Sequence, residues 1–262
     1  MRSMKALCSY FSQAKKGNLD SENEDSFRPK NILIDAETPS FGIADGSTEG
    51  SFSSRWSKIL TSNFVDQYDK GKSLKGFFKK SYDNFREWKK EYLLMRQKEN
   101  RPLQWFEENK LEQGAFSTFL GIIFDTYHQG KKDKIWKAYA IGDACLFQVR
   151  KDELITRFPM QNSSTFGNNP ILISSNESDY VYLKNRIKKR YGGYEIGDHF
   201  YIMTDALAKW FLEEYENSGR PWEELDELNK IETILSEFVD NLRKKNRLKN
   251  DDTTLVHILI TG

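Results

Sequence analysis

The distribution of short apolar runs constrains this chain more than any other feature of its sequence. Seven runs read as buried strands: residues 31–36, 41–44, 116–124, 135–141, 145–150, 200–203 and 254–260. Between the second and third lie two long helical patterns. Residues 53–69 begin with serines suited to an N-cap and carry Trp56, Ile59, Leu60, Phe64 and Tyr68 near helical spacing. Residues 74–96 do the same with Phe77, Phe78, Tyr82, Phe85, Trp88 and Tyr92. A third helix is expected over 230–245, where Ile231, Ile234, Leu235, Phe238, Val239 and Leu242 form one apolar face. These aromatic stripes read as core packing rather than as a cofactor pocket. The order is not a regular alternation of strand and helix, so a doubly wound parallel sheet is disfavoured. An α+β sandwich of antiparallel sheets with paired helices fits it. Residues 135–150 read as a hairpin turning at Gly142-Asp143. No repeat or low-complexity linker divides the chain, which reads as one domain over 1–262.

Composition closes off several classes of function. Hydrophobic residues make up 38% of the 262, enough to build a core. Lys+Arg 40 against Asp+Glu 39 leaves a formal charge of +1, which argues against a nucleic-acid partner. The basic runs Lys188-Lys189-Arg190 and Arg243-Lys244-Lys245 are expected to face solvent. Cys8 and Cys145 are too few for a disulfide framework or thiolate metal site. His128, His199 and His257 are scattered without zinc spacing. The N-terminal stretch lacks an apolar core of signal-peptide length, and no run approaches the ~20 apolar residues that cross a bilayer. A soluble, cytoplasmic protein with no membrane association is expected.

Four acidic sites share one context. Asp45 ends an apolar run and precedes Gly46; Asp205 ends another and precedes Ala206. Asp251 lies just before the last run, and Glu24-Asp25 before the first. A carboxylate beside a strand end is held rigidly yet can point into a cleft. Several together repel one another unless a cation compensates. Oxygen donors without Cys or His select magnesium, manganese or calcium over zinc. Gly46 has no side chain to keep its carbonyl from a metal. Each piece alone has a plainer reading: a turn at Asp45-Gly46 or Asp251-Asp252, a solvated pair at Glu24-Asp25, an N-cap at Thr204-Asp205. Their joint occurrence in one order carries the argument.

That order resembles the metal-dependent protein phosphatases of the type 2C family, over nearly the whole chain. The motifs are Asn23-Glu24-Asp25, Ala44-Asp45-Gly46, Phe116-Ser117-Thr118, Gly142-Asp143-Ala144-Cys145, Gly197-Asp198 with Thr204-Asp205-Ala206, and Asp251-Asp252-Thr253-Thr254. The resemblance implies a four-layer αββα sandwich with two divalent cations, magnesium or manganese, at one end between the sheets. Asp45 would bridge them. Asp205 and Asp251 would complete one site, and Glu24 with the Gly46 carbonyl the other. Asp25 would hold metal-bound water, and Asp143 would help bind a third ion or simply fix its turn. The implied activity is hydrolysis of phosphate monoesters on phosphoserine or phosphothreonine by a metal-bridging hydroxide, with a phosphoprotein substrate and a cognate kinase as partners. A catalytically silent, phosphoprotein-binding module of the same fold is the alternative.

The sequence also departs from the family pattern. Asp20 stands where relatives place a phosphate-gripping arginine, a change worth roughly 1.5–3 kcal/mol of substrate binding. Lys15, Lys16 and Arg55 are the candidate replacements. Ser47-Thr48-Glu49-Gly50 replaces a glycine-rich stretch, and Ser47 stands where some relatives have a general-acid histidine. Cys145 replaces an arginine and Ala206 a glycine. The polar stretch between Phe158 and Asp179 reads as a mobile flap or a plain connector.

Overall fold

The computed structural model describes residues 3–47, 52–68, 73–125, 134–167, 169–228 and 232–262. The chain opens with β1 (Met4–Gln13), β2 (Ser26–Arg28), β3 (Leu33–Ala36) and β4 (Ser40–Ala44). Three helices follow, α1 (Ser53–Tyr68), α2 (Leu74–Lys98) and α3 (Trp105–Gln113). The middle of the chain holds β5 (Phe116–Ser117), β6 (Phe119–Asp125), β7 (Ile135–Ile141), β8 (Cys145–Arg150), β9 (Glu153–Phe158) and β10 (Ile173–Ser174). After α4 (Tyr180–Leu183) come β11 (Lys188–Gly193) and β12 (His199–Met203), then α5 (Asp205–Glu216), α6 (Pro221–Leu228), α7 (Glu232–Lys244) and β13 (Thr253–Ile260).

Eleven of these strands form two large antiparallel sheets, ordered β3-β1-β13-β12-β8-β9 and β11-β7-β6-β4-β2, and β5 pairs with β10 in a third, two-stranded one. Side-chain alternation assigns each face. Ala6 and Cys8 of β1, Phe200 and Ile202 of β12, and Val256 and Ile258 of β13 point at Phe41 and Ile43 of β4 and Leu120, Ile122 and Phe124 of β6 across the inter-sheet core. The intervening residues also meet apolar layers. Tyr201, Met203 and Leu255 pack beneath Leu207, Phe211, Leu235 and Val239 of the α5–α7 layer. Phe119 and Ile123 pack beneath Trp56, Leu60, Phe64 and Phe77 of α1 and α2. Central strands buried on both faces explain the continuous apolar runs in the sequence. The layers are α, β, β, α, as the resemblance implies.

Two local expectations are corrected. Residues 135–150 are not a hairpin, because β7 belongs to one sheet and β8 to the other. Gly142, with φ +91, turns the chain across the sandwich, and β8 instead pairs with β9. Arg243 does not face solvent: its buried guanidinium donates to the carbonyls of Ala14 (3.2 Å) and Asp251 (2.6 Å) and to Thr253 Oγ1 (3.0 Å). Lys188-Lys189-Arg190 is exposed, as expected, at the start of edge strand β11. On α7, Leu235, Val239 and Leu242 are buried and Ile234 is exposed, whereas Ile231 lies outside the described residues, as do Asp69, Lys230 and the Thr48–Gly50 part of the altered glycine-rich stretch. Among the described residues no helix is long and apolar enough to cross a membrane.

At one end of the sandwich Asp198 ties the start of β12 to β8. It is fully buried and accepts from Arg150 Nε and Nη2 (2.8 Å each), Gln148 Nε2 (2.8 Å) and the Glu195 N–H (2.9 Å). Burial opposes its charge, yet the Arg150 guanidinium, the Glu195 N–H and the Gln148 amide hold its carboxyl below the usual carboxylate range. Its stabilising effect is therefore complete above the unfolded-state pKa and is lost as pH falls through the lower folded value. Asp198→Ala leaves the arginine without its buried partner and is expected to cost about 3–5 kcal/mol in denaturant unfolding at pH 7. A loss under about 1 kcal/mol would show that the pair does not hold this end together.

Candidate metal centre

The acidic residues gather at the opposite end, where β1, β4 and β12 finish and β13 begins. Asp45 is fixed through its backbone. Its N–H donates to Thr118 Oγ1 (3.3 Å), and its carbonyl accepts from the Thr118 N–H (2.8 Å) and Ser117 Oγ (2.7 Å). Gly46 is required by crowding: a Cβ there would sit 2.8 Å from the Glu24 carbonyl oxygen and 2.9 Å from the Ser53 carbonyl carbon. Bare backbone at this point lets the Glu24 segment and the start of α1 close on Asp45.

Asp252 staples two further segments to the entry of β13. Its carboxylate accepts from the Glu24 N–H (2.7 Å) and the Lys15 N–H (2.8 Å). Asp25 is buried beside it. Thr204 Oγ1 donates to Asp25 Oδ2 (3.0 Å) and accepts from the Thr254 N–H (3.0 Å). Thr204 thus makes no side-chain cap on α5; the Ala206 N–H is taken by Asp205 Oδ1 at 2.7 Å.

The carboxylates lie within reach of one another's charge. Burial pushes Asp45 well above the usual carboxylate range, and Asp25, Asp205, Asp251 and Asp143 push the same way. Burial also raises Asp25, with Asp252 and Asp205 adding to it. Asp143, on the crossover between β7 and β8, is raised to about 7 by burial and by Asp205. Burial raises Asp205 as well, against the pull of Lys249. Two carboxylate oxygens, Asp25 Oδ1 and Asp143 Oδ1, are buried without a hydrogen-bond partner. Clustered carboxylates with orphaned oxygens and no nitrogen or sulfur donor suit a hard divalent cation such as magnesium or manganese.

One cation of the chain's own sits here. Lys249 Nζ lies 2.6 Å from Asp251 Oδ2 and 3.3 Å from Asp205 Oδ2. Burial opposes its charge, but the two carboxylates outweigh that and raise its pKa. Lys249, Thr204 and Asp252 are absent from the candidate residues read in the sequence. Asp252 and Thr204 carried a signal, as the second acid of Asp251-Asp252 and the first residue of Thr204-Asp205-Ala206, whereas Lys249 carried none.

The candidate phosphate-binding residues are placed differently. Lys15 and Lys16 follow β1 at this end, with the Lys16 N–H on Asn250 Oδ1 (2.8 Å). Arg55 is exposed and turned onto α2, its guanidinium 5.8 Å from the Trp88 ring centre. Asp20 and Asp25 instead share a cleft of about 330 Å3 with Arg28, Lys30 and Lys58. A second cleft, of about 520 Å3, reaches Asp205 alongside Lys209, Arg247 and Lys249. The segment expected as a mobile flap is anchored: the Ser163 N–H donates to Glu216 Oε1 (2.7 Å), and β10 pairs with β5. Cys145 is buried with its thiol 3.2 Å from the Asp143 carbonyl.

No protein-family model matches the sequence, and no curated protein does. Solved structures share the fold. The PP2C phosphatase domain of SpoIIE from Bacillus subtilis, with a fragment of its regulatory domain, is 17% identical at TM-score 0.57; the match covers 100% of this chain and 64% of that one. The serine/threonine phosphatase PstP/Ppp of Mycobacterium tuberculosis is 14% identical at TM-score 0.55, covering 98% of this chain and 100% of that one. RsbX in complex with magnesium is 17% identical at TM-score 0.53, covering 100% of both chains. This chain therefore has the fold of type 2C phosphatases.

Raised carboxylate pKa values set a sign. The stability tied to protonated Asp25, Asp45, Asp143 and Asp205 is fully present below the unfolded-state value near 4 and is lost as pH rises through their higher folded values, about 7 for Asp143. Chelator-treated protein is thus expected to lose thermal stability from about pH 4 to about pH 7. Manganese should restore it far more at pH 7.5 than at pH 5. Melting curves that ignore the metal at both values would dismiss the cluster as a cation site.

Proposed function

We propose that this chain is a metal-dependent phosphoric monoester hydrolase of the type 2C family, acting on phosphoserine or phosphothreonine in proteins. The observation that carries this reading is the convergence of Asp25, Asp45, Asp143, Asp205 and Asp251 at one end of this particular fold, with two buried carboxylate oxygens left unpartnered. Asp45 would serve two divalent cations at once, with Asp205 and Asp251 on one and Glu24 with the Gly46 carbonyl on the other; Asp143 would serve a third. Magnesium or manganese bound there would supply Lewis acidity and offset the charge of the incoming phosphate.

The chain's own groups have separate tasks. Thr204 fixes one oxygen of Asp25 and leaves the other free to take a hydrogen bond from a reacting water. Asp252 sets the height of the Glu24 and Lys15 backbones relative to β13. Lys15 and Lys16 follow β1 at this end, and Lys58, in the same cleft as Asp25, is a candidate replacement for the gripping arginine, whereas Arg55 is turned onto Trp88. The natural partners would be a phosphoprotein and the kinase that modifies it.

A catalytically silent, phosphoprotein-binding module is the second reading. Lys249 favours it, because its ammonium bridges the two carboxylates assigned to one cation, as does Asp20 at the gripping position. Purified protein with manganese is expected to hydrolyse an aryl phosphate or a phosphopeptide, and Asp45→Asn to lower the rate by about a hundredfold or more. Unchanged activity in that variant would sink the phosphatase reading. Calorimetry on Lys249→Met separates the two readings further. Removing the competing ammonium should tighten manganese binding by about tenfold, roughly 1.4 kcal/mol. No binding by either protein would leave the module.

A further inference from the structure

A different set of side chains meets at the far end of β12 from Asp205. The sequence shows three histidines with no zinc spacing, yet two of them face one another across the sheet. Tyr201 pairs directly with His257 on β13, and His257 with Ser9 on β1. His199 lies two residues before Tyr201, so His199, Tyr201 and His257 share the helix-facing surface of the sheet. Helix α6 brings Asp226 over them. His199 Nδ1 lies 3.0 Å from His257 Nε2 and 3.2 Å from Asp226 Oδ2, and His257 Nε2 lies 3.6 Å from Asp226 Oδ1.

We infer that His199, Asp226 and His257 form a binding site for a zinc-class divalent ion, separate from the carboxylate cluster. A tetrahedral ion with ligands at about 2.0–2.1 Å separates its donor atoms by about 3.3 Å. His199 Nδ1 lies near that distance from both His257 Nε2 (3.0 Å) and Asp226 Oδ2 (3.2 Å), His257 Nε2 meets the other carboxylate oxygen at 3.6 Å, and one ligand atom from each of the three residues lies within 4.8 Å of the others. The two facing ring nitrogens, His199 Nδ1 and His257 Nε2, can hold only one proton between them, whereas a cation uses both lone pairs at once.

The surroundings fix the donors as metal sites require. Ser9 Oγ lies 3.4 Å from His257 Nδ1, the nitrogen turned away from the trio. Tyr201 donates to Asp226 Oδ1 at 2.6 Å and stacks on His257 with ring centres 4.7 Å apart. His199 and Asp226 are part-exposed, 28% and 33%, which leaves an entry path and a fourth position for water. Two imidazoles and one carboxylate suit zinc or cobalt, whereas magnesium prefers oxygen alone. An ion bound here would tie α6 to β12 and β13.

Cobalt titrated into the chelator-treated full chain is the probe, read by the visible absorption of a four-coordinate ion. One equivalent of an intense band is expected, displaced by zinc and unaffected by excess magnesium. His199→Gln and Asp226→Asn, both at part-exposed positions, should each weaken cobalt binding by at least a hundredfold. Asp45→Asn should leave the band intact, and this control separates the site from the carboxylate cluster. Absence of the band, its persistence in both His199→Gln and Asp226→Asn, or its loss in Asp45→Asn would overturn the inference.

Discussion

Mutual repulsion among buried carboxylates is the constraint around which one end of this molecule is arranged. Asp25, Asp45, Asp143 and Asp205 are each pushed above the usual carboxylate range, and burial is the first cause for every one. A chain left to itself would splay such groups into water. Here the backbone prevents it. Asp45 is clamped through its own N–H and carbonyl by Ser117 and Thr118, and the Glu24 and Lys15 backbones hang from Asp252. The side chains that hold the cluster use backbone groups, which leaves Asp25 Oδ1 and Asp143 Oδ1 unpartnered, while Lys249 takes one oxygen each of Asp205 and Asp251. A salt-bridge network would consume all of them. Asp198 at the other end illustrates the contrast: its oxygens are taken by Arg150, Gln148 and the Glu195 N–H.

How much of this could be read in advance follows from where burial falls. Strands sandwiched between two apolar layers, such as β6 and β12, announce themselves as unbroken apolar runs. The first strand does not. Met4, Ala6 and Cys8 alternate with Lys5, Leu7 and Ser9, and a lysine and serines among them mask a ten-residue central strand. Edge strand β11 is exposed along most of its length and so carries no hydrophobic signal. The Gly142-Asp143 turn was legible as a turn, but a local pattern does not say which sheet the next strand joins. Sheet membership is a long-range property: Ala138 and Ala140 of β7 and Leu146 of β8 enter the same inter-sheet core from opposite sheets.

The candidate site divides along the same line. Acids at strand ends were visible because the strands were, and the fold gathers those acids at one end. Groups that act from loops had no period to reveal them. Lys249 is one of 40 basic residues, and nothing in its neighbourhood marks it until the geometry places its ammonium between Asp205 and Asp251. The buried Arg243 is hidden for a related reason: a basic run looks solvated unless one knows that three acceptors converge on its first residue. His199 and His257 are 58 residues apart and become neighbours only through antiparallel register.

Strand β12 links these observations. Its C-terminal end delivers Asp205 to an all-oxygen cluster, and its N-terminal end delivers His199 to a nitrogen-containing trio. Five residues of strand span about 17 Å, far enough that the two ends keep separate chemistries, hard donors at one and borderline donors at the other. The same strand carries Thr204 just past its end, whose hydroxyl orients Asp25, and Tyr201 in its middle, whose hydroxyl orients Asp226. Each end therefore has a hydroxyl that fixes one carboxylate oxygen and leaves the second for a different partner. A rigid central strand, buried on both faces, is what allows one short segment to position donors at both ends without either depending on a loop.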